Sequence, residues 1–289
     1  MRTIDPTQIA TKDLHQFILG AVGPRPIAFA STISADGVPN LAPYSFFNAF
    51  SSNPPILIFS SNRRVENNTT KDTLQNVKET GEVVIHAVSY AMARQMALCS
   101  IEYDASINEF EKAGFTPLPS ERVRPFRVAE SPVHMECVVD NILPLGEKGG
   151  AGNLIVCRMV LMHISEDVLT PSGRIDPHKI DLIGRLGRFY YARASGDAIF
   201  EVVQKVNELG VGFDALPYAA RHSPVLTGNE LARIAALTQL PSREEALADP
   251  AVVEAIQQCN NTAELHLLVR QALERGDVEQ AAKLVVAGD

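Results

Sequence analysis

Ile27-Ala-Phe-Ala-Ser-Thr-Ile33, Ala35-Asp-Gly-Val-Pro39 and Leu41-Ala-Pro-Tyr-Ser-Phe-Phe-Asn-Ala-Phe50 follow one another early in this chain, and their order decides its fold. The first is a run of apolar and β-branched residues, which predicts a strand. Asp36-Gly37 is a hairpin-turn signal. The third stretch predicts a second strand over 41–50. Ser52-Asn-Pro-Pro55 breaks it, and Ile56-Leu-Ile-Phe-Ser60 predicts a short buried strand.

Outward from this stretch, Lys71–Thr80 reads as a short helix that Gly81 ends, with Asp72 as its N-cap. Glu82–Val88 returns to strand. Two more strands are expected at Val133–Leu143 and Asn153–Ile164, joined by the hairpin connection Gly146–Gly152. Several short strands with few helices between them predict a mainly β fold, an antiparallel barrel rather than a parallel sheet.

The texture changes later. Residues 198–209 read as a helix, which Gly210-Val-Gly212 stops. Beyond 226 the chain reads as helical throughout. Ser242-Arg-Glu-Glu245 fits a capping box, and Asp249-Pro250 fits an N-cap followed by proline. Leu265, Leu268, Val269, Ala272 and Leu273 repeat at helical spacing before Gly276, and a last helix follows at about 278–286. The expected division is therefore 1–225 and 226–289. The helical extension reads equally as an interaction arm or as a lid on its own barrel.

Composition narrows the function. With a net charge of −8 and a pI near 5.4, the chain has no general basic face for nucleic acid. No apolar run reaches the roughly 18–20 residues a membrane span needs. Met1-Arg-Thr-Ile-Asp5 lacks the apolar core of a signal peptide, and none of the four cysteines forms a C-x-x-C pair. The expected location is cytoplasmic. No phosphate-loop, dinucleotide or nucleophile-elbow motif occurs, and no histidine pair has metal-ligand spacing, so neither a catalytic set nor a metal set is assigned.

What remains is residues 43–76. Strand alternation puts Ser45, Phe47 and Ala49 on one face and Phe46, Asn48 and Phe50 on the other. Aromatic and hydrogen-bonding groups thus converge, as a flat heteroaromatic ring with polar edges requires. Ser60, Ser61, Arg63, Arg64 and Lys71-Asp-Thr73 then supply hydroxyls, cations and a helix start, the equipment of a phosphate site. The plain alternative is a solvated turn whose serines satisfy local backbone.

These residues resemble a known family. Gly23-Pro-Arg-Pro-Ile-Ala-Phe-Ala-Ser-Thr32, Asp36-Gly37, Asn40–Asn48, Asn53-Pro-Pro55, Lys71-Asp-Thr73, Asn76 and Thr80-Gly-Glu82 are similar to the flavin reductase-like, FMN-binding split-barrel family. That family includes flavoredoxin and the reductase components of two-component monooxygenases. Ile183–Tyr191 is similar to its closing motif, so the likeness spans about 15–195. The resemblance implies an FMN-binding split β-barrel, with flanking helices and the helical extension added. It implies FMN held at a homodimer interface, with Phe47, Asn48, Ala49, Ser51 and Ser52 at the ring. Ser60, Arg63, Lys71 and Thr73 would meet the phosphate, and Tyr190 or Tyr191 would approach the cofactor. Arg25 either orders the pocket entrance or is a surface arginine at a strand start.

The activity implied is oxidoreductase: hydride from NAD(P)H to flavin, then electrons to an acceptor such as a protein or an oxygenase. Two rivals stand beside it. One is an electron carrier reduced by a protein donor. The other is a non-catalytic binding or interaction protein whose barrel has kept its shape and lost the flavin.

Overall fold

The computed structural model describes residues 1–202 and 207–288. The chain divides into two compact units, Met1–Phe200 and Glu201–Asp289.

In the first unit, helix α1 (Thr11–Ala21) precedes strands β1 (Ala28–Ile33), β2 (Pro39–Tyr44), β3 (Phe47–Ser52) and β4 (Pro55–Ser60). Helix α2 (Asp72–Thr80) and β5 (Glu82–His86) follow, then α3 (Ala93–Leu98) and α4 (Glu109–Ala113). A two-residue ladder pairs β6 (Pro117–Leu118) with β7 (Arg127–Val128). The long hairpin β8 (Val133–Pro144) and β9 (Asn153–Ile164) comes next, and β10 (Ile183–Arg185) pairs with β11 (Tyr191–Arg193).

The seven-stranded sheet runs in the order β2-β1-β5-β8-β9-β4-β3, and every pair is antiparallel. Its two edges, β2 and β3, are consecutive in sequence and joined only by Ser45 and Phe46. Three backbone steps reach roughly 10 Å at most. The edges must therefore meet at this end, which forces the sheet to roll. No β2–β3 ladder closes the gap among the described residues, so the result is a split barrel.

Alternation along β1 serves two cores. Ala28 and Ala30 face the barrel interior with Phe59, Ile85, Ile155 and Leu74. Ile27 and Phe29 face a second core built from Met92, Met96, Phe110 and Val128. With both faces covered, the segment reads as a continuous apolar run. Helix α2 packs Leu74 and Val77 on the barrel and ends at Gly81, whose φ of +70° suits glycine.

Three expectations need correction. The single strand expected over 41–50 is two strands, because the chain bends at Ser45-Phe46 to pass from one sheet edge to the other. The bulge at Phe50, between the Ala49 and Ser51 pairings, also breaks the alternation assumed there. Asp72 is not the cap of α2. Lys71 holds that place without a side-chain cap bond, and Asp72 is the first helical residue. There its carboxylate still favours the positive end of the helix dipole.

The second unit contains α5 (Tyr218–Arg221), α6 (Gly228–Ala235), α7 (Arg243–Leu247), α8 (Pro250–Gln258), α9 (Thr262–Glu274) and α10 (Val278–Ala287). Leu231, Ile234, Val252, Val269, Leu273 and Val285 form its core. The capping box at Ser242/Glu245 and the Asp249-Pro250 start take the expected form, and a further box forms at Thr227/Glu230. Leu216 and Ala220 pack in this core too, so the helical unit begins earlier than the 226 drawn from sequence. The helix expected over 198–209 is absent at 199–202 and 207–209, while 203–206 lie outside the described residues. Phe200, Val202 and Leu209, the apolar residues described on either side, are exposed.

Candidate functional site

The seam Tyr44-Ser45-Phe46 is the centre of the chemistry. Tyr44, the last residue of β2, is buried beside Phe59, with ring centroids 5.0 Å apart. Its hydroxyl and that of Ser61 are buried without a hydrogen-bond partner. Burial pushes the Tyr44 phenol up to about 12, against the opposing pull of the Thr73 and Ser61 hydroxyls.

Above Tyr44 lies a cavity of about 60 Å³, lined by Asn40, Arg64, Lys71, Thr73 and Glu102 among others. Asn40 Nδ2 donates to Thr73 Oγ1 at 2.8 Å and to Thr32 Oγ1 at 2.9 Å. Because Thr73 Oγ1 already accepts, its own proton remains available to donate. The Lys71 ammonium sits 5.0 Å from the centre of the Tyr44 ring. It makes no hydrogen bond or ion pair among the described residues. Burial lowers its pKa first, and the Arg64 charge adds to that.

A half-buried lysine over two buried, unpartnered hydroxyls is an incomplete electrostatic arrangement. An anion completes it: each hydroxyl gains an acceptor and the lysine regains the charge partner that burial removed. Of the three carboxylates that line the cavity, Asp72, Glu102 and Glu109, the last two are otherwise engaged. Glu109 Oε2 accepts from Leu41 N–H at 3.0 Å, which satisfies an edge group of β2, and Glu102 pairs with Arg64.

The residues expected from sequence fall in three places. Lys71 and Thr73 line the cavity. Arg63 does not: its Nε donates to Asn68 Oδ1 at 2.6 Å and its Nη2 to Asn68 O at 2.7 Å, which commits it to its own loop. Arg64 takes the cavity position instead, fixed by Thr69 Oγ1 and by the Thr70 carbonyl at 2.7 Å. Ser60 Oγ donates to Asn62 Oδ1 at 2.6 Å under the β8–β9 connection. A Cβ on Gly152 would lie 2.6 Å from the Ser60 oxygen, so a larger residue there would force the Ser60 side chain to turn away.

Along β3, Phe47 packs against the barrel core, while Asn48, Ala49, Ser51 and Ser52 are exposed at the sheet edge. Among the described residues β3 pairs only with β4, which leaves outward backbone groups for a ligand or a partner. Tyr190 is exposed and lines an open pocket of about 490 Å³ with Phe17, Gly20, Leu186 and Arg188.

Arg25 connects these places. It is 5% exposed, which removes the surface reading. Its Nη1 donates to the carbonyls of Leu19 and Val22, both at 2.7 Å, and its Nη2 to Leu186 O at 3.3 Å. Its Nε reaches Ser45 Oγ at 3.4 Å, and the guanidinium lies 5.8 Å from the Phe46 ring centre. One side chain thus ties the end of α1 and the 183–191 segment to the barrel seam.

Sequence reading named Ser61 among the hydroxyls of a phosphate site but missed Tyr44 as an individual, although it lies in a quoted stretch. It missed Glu102 entirely, because 89–132 carries no periodic signal.

The comparisons with known proteins bear on the family and the fold. A family model described as "Flavin reductase like domain" matches residues 21–178. An uncharacterized protein of Aquifex aeolicus is 38% identical over 189 residues, 65% of this chain and 94% of its own length. Nitrilotriacetate monooxygenase component B from Bacillus cereus superposes with a TM-score of 0.65 at 33% identity, covering 70% of this chain and 98% of its own. The 2-nitrobenzoate 2-nitroreductase of Pseudomonas fluorescens gives 0.63 at 27% identity, with coverages of 71% and 98%. The family model spans more than half of the chain and contains the rolled sheet, its open seam and the Lys71–Thr73 helix start, so this chain belongs to the flavin reductase-like family.

Proposed function

We propose that the chain binds FMN and works as an NAD(P)H-dependent flavin oxidoreductase, as a homodimer that passes electrons to a protein acceptor or an oxygenase. The observation that carries this reading is Lys71, half-buried without an ion pair above the unpartnered hydroxyls of Tyr44 and Ser61. These groups fit a phosphate. Lys71 would supply the charge, and Thr73, Tyr44 and Ser61 the donors. Arg64 stands at the rim, and Ser60 shapes the turn beneath.

The residues of β3 would hold the ring. Asn48, Ala49, Ser51 and Ser52 offer exposed polar and backbone groups, and Phe47 fixes the strand to the core. Bound FMN supplies hydride acceptance at its ring nitrogen. The chain's part is to orient the ring, to keep donors at its polar edge and to exclude water from the phosphate. Donors placed beforehand cost no reorganisation when charge develops.

The homodimer is supported by what the single chain leaves uncovered. Phe50, Phe189 and Tyr190 are 63%, 90% and 70% exposed, and a second copy over the seam would bury such groups. The oxygenase is suggested by the Bacillus cereus relative, itself a monooxygenase component.

The test is anaerobic. FMN-loaded protein is mixed with NADH or NADPH and its visible absorbance followed. Bleaching within seconds is expected with at least one of the two. Bound flavin that stays oxidised with both would overturn the NAD(P)H reading.

A further inference from the structure

Three histidines stand side by side on the face of the sheet opposite the barrel core. His86 on β5 is in register with His134 on β8, and His134 with His163 on β9. Their ring centres are 5.4 Å and 6.0 Å apart along the row. The segment 116–131 is fastened at each of them. His86 Nε2 accepts from Val128 N–H at 3.0 Å, and its Nδ1 lies 2.8 Å from Phe29 O. His134 Nε2 lies 2.9 Å from Ser131 O, and because a carbonyl only accepts, that nitrogen carries the proton. His163 Nε2 lies 2.8 Å from Glu136 Oε1. The Glu136 carboxylate, fully buried, also accepts the N–H groups of Glu121 at 2.9 Å and of Arg122 at 2.6 Å.

The three rings do not meet acid alike. His163 is partly exposed and lies between two carboxylates, Glu136 and, 3.8 Å from its Nδ1, Glu121. A positive charge there has partners. His134 is 8% exposed, and its Nδ1 is buried without a hydrogen-bond partner. Facing it are His86 from β5, His163 from β9 and Arg127 from β7, with Glu136 two residues along its own strand. Glu136 is already shared between His163, two amides and Arg127 at 4.0 Å. Burial lowers the pKa of His134 first. The backbone of Ser131 and Val128 opposes this, and the charges of Arg127 and His163 add to it. The closed molecule therefore keeps His134 neutral, while a released chain protonates it near 6.5.

What this row fastens reaches beyond 116–131. Ser131 Oγ donates to Ala87 O at 2.8 Å, just past the end of β5. The residues that follow hold the approach to the 183–191 stretch: Val88 O accepts from Ile183 N–H at 3.1 Å, and Tyr90 N–H donates to Asp181 O at 2.8 Å. Val128 and Ile183 share one core.

We propose that the histidine row is an acid-sensitive latch: in mild acid, protonation of His134 releases 116–131 from the sheet and loosens the 181–191 stretch that it supports. The open form binds a proton that the closed form excludes, so opening increases as pH falls below the unfolded value. His134 is the acting group, and Glu136 is the clasp that holds the amides of 121 and 122 while the latch is shut.

Hydrogen–deuterium exchange of the full-length protein at about pH 7 and pH 5, corrected for intrinsic exchange, reads the latch. Opening of 119–131 is expected to rise by at least about 20-fold between the two, and 181–191 should follow it. Residues 55–60 of β4 serve as the internal reference and should change far less. His134→Gln keeps an amide N–H for Ser131 O and does not titrate. Its rise should be smaller by about 5- to 20-fold, the remainder belonging to His86. Unchanged protection of 119–131 in the wild type overturns the latch, whether or not the variant folds. So does an equal rise in 55–60, which would mean that the whole barrel unfolds. An equal rise in wild type and variant overturns His134 as the acting group. Protection retained at 181–191 while 119–131 opens overturns the link between them.

Discussion

Lys71 holds its ammonium 5.0 Å from the centre of the Tyr44 ring, while the Tyr44 hydroxyl is buried without a hydrogen-bond partner. One holds the cap position before α2, the other is the last residue of β2, and the rolled sheet brings them together. Each lacks what an anion would give it, and the first prediction follows.

Lys71→Met should weaken FMN binding by roughly 10- to 100-fold, the range of a lost charge-assisted hydrogen bond. Riboflavin, which has no phosphate, should bind the variant as it binds the wild type. Fluorescence titration with both ligands checks this. An equal loss for both would show that the substitution disturbs the ring site instead.

Arg25→Ala should destabilise the barrel unit by about 2–4 kcal/mol. It deprives the carbonyls of Leu19, Val22 and Leu186 of their donor and leaves a hole at the seam. Arg25→Lys should recover only part of this, because an ammonium lacks the planar fork that reaches several acceptors. Urea unfolding followed by tyrosine fluorescence measures both. A midpoint equal to that of the wild type would contradict the tie.

His86 is fully buried on β5. Its Nδ1 lies 2.8 Å from Phe29 O, and its Nε2 accepts from Val128 N–H at 3.0 Å. This fixes the neutral tautomer with the proton on Nδ1. Burial pushes the pKa down to about 3. The unfolded chain protonates near 6.5, so it binds the extra proton between 6.5 and 3 and the folded chain does not. Barrel stability is therefore lost as pH falls through that window, by up to about 1.4 kcal/mol per pH unit. Nitrogen NMR of labelled histidine should find this ring neutral at pH 5. Titration near 6.5 would contradict the geometry.

In the helical unit, Glu230 closes a capping box with Thr227 and pairs with Arg270 at 2.6 Å. The Arg270 guanidinium is the main cause that holds its carboxyl down to about 2. A depressed carboxyl contributes stability that is present above the unfolded value near 4.5 and is lost as pH falls toward 2. With Arg270 about a third exposed, solvent screening limits the pair to about 1 kcal/mol. Glu230→Gln should lower the melting temperature of this unit by roughly 4–8 °C at neutral pH. At pH 3 the gap to wild type should shrink. Calorimetry at the two pH values reads both, and a gap independent of pH would refute the assignment.

Legibility in the sequence was uneven, for physical reasons. β1, β4 and the β8–β9 hairpin declared themselves because apolar runs bounded by Asp-Gly, Pro-Pro and glycine clusters leave few alternatives. The caps at Ser242 and Asp249 declared themselves because capping is local chemistry. The break at Ser45-Phe46 did not. It is imposed by closure of the sheet, and nothing in the alternation of 41–50 marks where the chain changes edges. The choice between Arg63 and Arg64 was hidden for a similar reason. Neighbouring arginines in a loop are equivalent until Asn68, at a φ of +57°, turns its carbonyl and side chain toward one of them. Glu102 and Arg25 act through partners 38 and 161 residues away, and such pairings are written in the fold alone.

The central claim is that this barrel holds FMN by its phosphate, and direct binding tests it most simply. The full-length protein would be titrated with FMN and with riboflavin, and the dissociation constants compared from the same flavin fluorescence signal. Saturable binding of FMN, tighter than riboflavin by roughly ten-fold or more, is the expected result. Equal affinity for the two, or no binding of either, would contradict the account.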